Sequence, residues 1–152
     1  AAPALVISLA ARFGGYTDIL VIAHLLEAAL YFYAAIGLIV YMLSDTEVTI
    51  DELLAVGATF TLLAWAFTYA YSACQYFVPG SFAINPLEQR SWLELLFLSF
   101  SVLSSVGLSD ITPIAPIARS LVILEMFCGV MYIAIVVSRL IAMIGLRRQH
   151  NR

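Results

Sequence analysis

The sequence predicts an all-α membrane protein with three full crossings and one short helix that enters the bilayer without traversing it. Three observations carry this. First, 63% of the 152 residues are hydrophobic and 11% charged, with a mean hydropathy of +1.00. An average soluble domain is roughly 45–50% apolar and about 25% charged, so this chain has too little polar surface to cover itself in water. Second, three apolar runs reach the length of about 20 residues that a crossing needs. Third, a fourth apolar run is too short to cross and ends in serine and glycine between two of the long ones.

Composition also excludes function classes. The net charge of -3 is small, all seven basic residues are Arg, and nothing points to nucleic acid. Cys74 and Cys128 both fall in apolar runs, which argues against a disulfide framework. No nucleophile–base pair, metal-ligand cluster or phosphate-binding loop is present, so an enzyme is not expected and no cofactor is implied. Residues 1–17 are read as an N-terminal segment: residues 4–13 are apolar but too short to span, and Gly14-Gly15 breaks the run. The start at Ala-Ala-Pro suggests a trimmed terminus, and the segment lacks the basic start of a secretion signal.

The first crossing is expected over 18–43, with Thr17 as a cap and only His24 and Glu27 interrupting the apolar run. An acidic connector, 44–52, follows, and Thr49 and Glu52 have the spacing of a capping box. The second crossing is expected over 53–78. Tyr69, Tyr71, Tyr76 and Phe77 form an aromatic belt at its far end, and Pro79-Gly80 stops it. After a polar loop, Ser91 and Glu94 form another capping box, opening a short helix over 91–104. At about 1.5 Å per residue it falls well short of a crossing. The irregular backbone after it must then be enclosed by protein or line a watery cavity. Pro113 and Pro116 mark the start of the last helix, 117–146, where Pro is tolerated in the first turn. Arg139, Arg147, Arg148 and Arg152 at its far end place residues 147–152 on the cytoplasmic side by the positive-inside rule.

Helix, short re-entrant helix, signature loop, helix: this order resembles the pore module of the potassium channel superfamily, over residues 53–146. The residues match as well. The family filter reads Thr-Val-Gly-Tyr-Gly followed by Asp; here Ser105, Val106, Gly107, Leu108 and Ser109 hold those positions, followed by Asp110, with Ser104 preceding them. Asp110-Ile-Thr-Pro113 and Pro116-Ile-Ala-Arg119 resemble the linker and inner-helix start of prokaryotic members. Gly129 lies where the family's hinge glycine would sit. The resemblance implies an outer helix (53–78), a pore helix (91–104), a filter (105–109) and an inner helix (117–146), preceded by an additional transmembrane helix. It implies a homotetramer in the plasma membrane of a prokaryote, with permeant K+ or Na+ ions and the lipid bilayer as its partners.

A dehydrated cation needs its water replaced by oxygens, and backbone carbonyls from four chains supply them when successive carbonyls point at one axis. By resemblance, the ligands are the carbonyls of Ser105, Val106, Gly107 and Leu108, with the Ser105 hydroxyl. Pointing successive carbonyls one way requires backbone of alternating hand, hence glycine at two places, of which Gly107 keeps the first. Serine at 105 retains the hydroxyl. Leucine at 108 removes a phenol that braces the filter in the family. Serine at 109 is the largest departure, because a non-glycine residue in the left-handed region costs roughly 1–2 kcal/mol; either ion coordination offsets that strain, or the strand relaxes and the outer part of the filter widens. The sequence therefore predicts a cation pore with weakened potassium selectivity. The alternative is a non-conducting, channel-like scaffold or accessory subunit.

Other residues carry two readings each. Asp110 either attracts cations at the outer mouth or pairs with Arg119 or a loop group. Glu125, inside the last helix, is either a hydrogen-bonded, protonated structural carboxyl or a cation-attracting one. Gly129 is either a gating hinge or a close-packing point. Glu94 is explained by the capping box, and Cys128 by packing. His24 and Glu27, three apart on one helix face, are expected to hydrogen-bond each other rather than to bind metal.

Overall fold

The computed structural model describes residues 17–44, 50–82 and 88–150. Among them are four helices and no strand: α1 (Thr17–Ser44), α2 (Ile50–Phe77), α3 (Trp92–Leu103) and α4 (Pro116–His150). Three contain spans apolar enough to cross a membrane, Leu20–Ser44, Leu54–Phe77 and Pro116–Arg139. α3 has 12 residues, about 18 Å at the usual rise, and does not cross. The chain is thus an all-α, multi-pass membrane protein, with α1 as an extra N-terminal helix beside the re-entrant unit formed by α2, α3 and α4.

The start of α3 follows from its capping box. Ser91 is the N-cap: its hydroxyl accepts from the Glu94 amide at 3.3 Å, and its own amide donates to the Glu94 carboxylate at 2.7 Å. Two orphan donors of the first turn are satisfied reciprocally. The Thr49–Glu52 box expected ahead of α2 lies outside the described residues. The last helix is longer than the sequence suggested, beginning on Pro116 itself and reaching His150.

Helices in a membrane gain little from hydrophobic burial against one another, so close packing and small residues hold them together. α1 lies along α2 on a seam of seven-residue period, Val21, Ala28, Ala35 and Met42, all buried. α4 presents Ala118, Val122, Glu125, Gly129 and Tyr132, alternately four and three apart and all buried, to α2 and α3. Both are the periods of helices crossing at a shallow angle. The core has an upper cluster including Phe67, Tyr71, Leu95, Leu98, Val102 and Val122, and a lower one including Ala35, Leu63, Leu103 and Tyr132.

Gly129 sits where α4 passes the last turn of α3. A Cβ there would lie 2.2 Å from the Leu103 carbonyl oxygen and 3.0 Å from its carbon. This gives the close-packing reading of Gly129 a geometric cause, since the atom it would meet is backbone and cannot rotate away. Gly129→Ala is expected to force α3 and α4 apart at a cost of about 1–3 kcal/mol. A fall in the thermal unfolding midpoint of the detergent-purified protein would register it, and an unchanged midpoint would contradict the contact.

Candidate functional site

The site is built at the lower end of α3. The helix closes with the Ser104 amide donating to the Phe100 carbonyl (3.1 Å) and the Ser105 amide donating to the Val102 carbonyl (3.0 Å). The chain then leaves the helix axis. The amides of Val106 and Gly107 both turn back to the Ser101 carbonyl, each at 3.1 Å. No peptide among the described residues is cis. In a planar trans peptide the carbonyl points opposite to the amide it is bonded to. The carbonyls of Ser105 and Val106 therefore both face away from α3, on one side of the strand.

Backbone of alternating hand makes this possible. Ser105 has φ +60° and Gly107 φ +68°, while Val106, Leu108 and Ser109 are not left-handed. Of the two outcomes open at Ser109 the strand takes the relaxed one, and the non-glycine residue in the left-handed region is Ser105. A serine there stands the left-handed region at the modest cost usual for a non-glycine residue, and the hydrogen bond its amide donates to the Val102 carbonyl holds it. Ser109 escapes the left-handed region and turns its side chain to local work: its Oγ accepts from the Ile111 amide at 3.1 Å. The alternation thus runs from 105 to 108 and stops at 109.

The side chains of Val106 and Leu108 are 69% and 70% exposed. In a segment set between membrane helices, that much uncovered apolar surface is unusual for a complete unit. Asp110 is exposed. Among the described residues no ion pair joins it to Arg119, whose Nε donates instead to the Pro113 carbonyl at 3.1 Å. Beyond Asp110, the Ile114 amide donates to the Ser81 carbonyl at 2.8 Å, which ties the returning strand to the end of α2.

The upper end of α3 is fixed by a device the sequence reading missed. The buried Gln75 side chain donates through Nε2 to the Arg90 carbonyl and accepts at Oε1 from the Arg90 amide, both at 3.0 Å. Arg90 adds Nε to the Phe82 carbonyl at 3.2 Å and a terminal nitrogen to Glu94 at 3.3 Å. The signal available was one amide side chain in an otherwise apolar and hydroxyl-bearing run, just before Pro79-Gly80. Aromatic rings add a second tie: Trp92 lies 6.3 Å from Trp65 and 6.1 Å from Tyr69, and both of these meet Tyr31 of α1 at 5.5 Å.

His24 and Glu27 meet each other, Nδ1 to Oε2 at 3.3 Å, with the imidazole between the rings of Tyr69 and Tyr76 at 5.7 Å each. The pair sits on the α1–α2 interface, apart from residues 105–110. Glu125 is enclosed where α2, α3 and α4 converge, in hydrogen-bond contact with Tyr71 and Ser99. The enclosed, hydrogen-bonded alternative is the one its surroundings fit.

The Ser91 hydroxyl and amide hold the Glu94 carboxyl below the usual carboxylate range, with a smaller contribution from Arg90. A depressed folded-state value means the contribution is present above the ordinary value of 4.5 and lost as the pH falls through the folded one. Ser91→Ala is expected to remove about 1 kcal/mol at neutral pH. The deficit should shrink as acid protonates Glu94, and thermal unfolding at neutral and acid pH would check both.

Compared with known families, residues 28–145 match the family model described as "Ion channel". No individual curated protein and no solved structure matches the chain.

Proposed function

The chain belongs to this ion channel family, and we propose that four copies surround one axis to form a pore for monovalent cations. What supports this is the pair of carbonyls, Ser105 and Val106, directed to the same side of a strand whose amides are held from behind by Ser101. One chain supplies only a quarter of a ligand ring, so the ring requires a quartet. The exposed side chains of Val106 and Leu108 fit the same reading, as surface that neighbouring subunits cover. Each α3 directs its C-terminal end, with its partial negative charge, towards the space below the ring, and this favours cations there.

Potassium or sodium ions are the permeant species in this reading, coordinated by Ser105, Val106, Gly107 and Leu108, with Asp110 exposed at the outer mouth. Selectivity is reduced because the alternating backbone ends before Ser109 and because Leu108 has no phenol with which to brace the strand. We assign Gly129 to seating α3 against α4 rather than to bending, on the strength of its approach to Leu103. The arginines from Arg139 to Arg152 favour a cytoplasmic C-terminus in the plasma membrane. The resemblance of the 110–119 linker to prokaryotic members favours a prokaryotic source.

Flux through the purified protein in liposomes tests this. Potassium and sodium are expected to permeate within about tenfold of each other, a difference of about 1.4 kcal/mol or less, with block by quaternary ammonium. Leu108→Tyr combined with Ser109→Gly is expected to shift the ratio towards potassium. Strong potassium preference in the unmodified protein would overturn the selectivity reading. A monomer or dimer by mass measurement would overturn the pore. A silent tetramer would favour the scaffold alternative.

A further inference from the structure

Against α3, whose Ser101 carbonyl holds the 105–108 strand, lies a buried acid that the conduction scheme does not use. Glu125 is fully enclosed, at 0% exposure. Its Oε2 meets the Tyr71 hydroxyl of α2, and its Oε1 meets the Ser99 hydroxyl of α3. Ser99 Oγ also lies 2.9 Å from the Ala64 carbonyl of α2, which in turn accepts from the Thr68 hydroxyl at 2.7 Å.

The protons can be counted. Three oxygen–oxygen contacts run in a chain: Tyr71 to Glu125, Glu125 to Ser99, and Ser99 to Ala64. The tyrosine and serine hydroxyls bring two protons, and a carbonyl brings none. With an ionised carboxylate, one of the three contacts would set lone pair against lone pair. A protonated carboxyl completes the chain: Tyr71 donates to Oε2, the Oε1 hydroxyl donates to Ser99, and Ser99 donates to Ala64.

The surroundings agree. The titratable groups facing this point are Tyr71 and Cys74 from α2 and Cys128 from α4. α3 faces it with Ser99, which does not titrate in water. None of them is basic, and the His24–Glu27 and Arg90–Glu94 pairs lie elsewhere. An uncompensated carboxylate in an apolar enclosure is far costlier than the neutral acid.

We propose that Glu125 acts as a neutral, proton-donating strut that positions α3, and with it the 105–108 strand, between α2 and α4. Ser99 and Leu103 of α3 meet Glu125 and Gly129 of α4 respectively, one helical turn apart on each helix. Between them lies Ser101, whose carbonyl holds both turned-in amides. Removing the strut's proton leaves Ser99 with one proton for two acceptors, which frees α3 from α2 or from α4. The consequence for flux rests on the conducting reading above: flux should persist through acid and neutral pH and decline in alkali.

Glu125→Gln is the decisive variant, because an amide reproduces the donor to Ser99 and the acceptor for Tyr71 but has no proton to lose. In wild type, infrared difference spectra are expected to show the carbonyl stretch of a protonated carboxyl at neutral pH, lost in Glu125→Gln. The variant is expected to keep the unfolding midpoint, to conduct within about twofold of wild type, under 0.5 kcal/mol, and to lose the alkaline decline. Absence of that stretch in wild type overturns the proposal, even if the variant does not fold. So does a variant that folds but conducts tenfold less while Glu125→Asp conducts normally, since that would mean the site needs a negative charge. If neither protein conducts, the conducting reading fails, and the infrared band and the unfolding midpoint still decide the strut.

Discussion

A single carbonyl, that of Ser101, accepts two consecutive amides, and the geometry of residues 105–108 hangs on it. At membrane depth there is no water to satisfy a stray amide, and each unsatisfied group costs several kcal/mol. The amides of Val106 and Gly107 must find an acceptor, and the last turn of α3 offers its unused carbonyls. Once those amides are turned inward, trans peptide geometry turns the matching carbonyls outward. Ligand-like oxygens facing open space are thus the by-product of hydrogen-bond satisfaction behind them. The left-handed Ser105 is what lets the strand meet the helix end at this angle.

That arrangement holds only while α3 keeps its place, and it is fixed at both ends by different means. The upper end is polar: the Ser91–Glu94 box, the Gln75 amide on the Arg90 backbone, and Arg90 on Phe82. The lower end is dry: Gly129 lets α4 close onto the Leu103 backbone, and the Glu125 carboxyl reaches Ser99 and Tyr71. The polar group near the dry end is buried among partners on three helices. A buried network of this sort specifies one arrangement of elements more sharply than apolar contact does, provided every member is satisfied.

Much of this was legible in the sequence, for reasons that are local. Helix lengths follow from apolar runs, and α3 declares its start by Ser91 and Glu94 and its failure to cross by its length. The filter-like segment is readable because glycine, serine and aspartate cannot be confused with a continuing apolar helix. What was not legible depends on pairs far apart in the chain. Glu125 and Tyr71 are separated by 54 positions and Gln75 and Arg90 by 15, and no periodicity announces such meetings. The left-handed Ser105 was not legible for another reason. Glycine substitution drew attention to Ser109, whereas the hand of the backbone is set by where the amides must go, which puts the burden on Ser105.

The second helix has the lowest mean hydropathy of the three spans, 1.3 against 1.8 and 2.4, and twice the buried share of either neighbour, 44% against 22%. It carries Thr59, Thr68, Ser72 and Gln75 within its length, all buried. α1 covers its back, and α3 and α4 occupy its front. The hydrocarbon is therefore met more by its neighbours than by α2, whose threonine and serine hydroxyls close onto carbonyls of their own helix one turn back while Gln75 reaches the Arg90 backbone. A span of this low hydropathy is the weakest of the three candidates for independent insertion. Its stable residence in the bilayer is conferred by the companions that surround it.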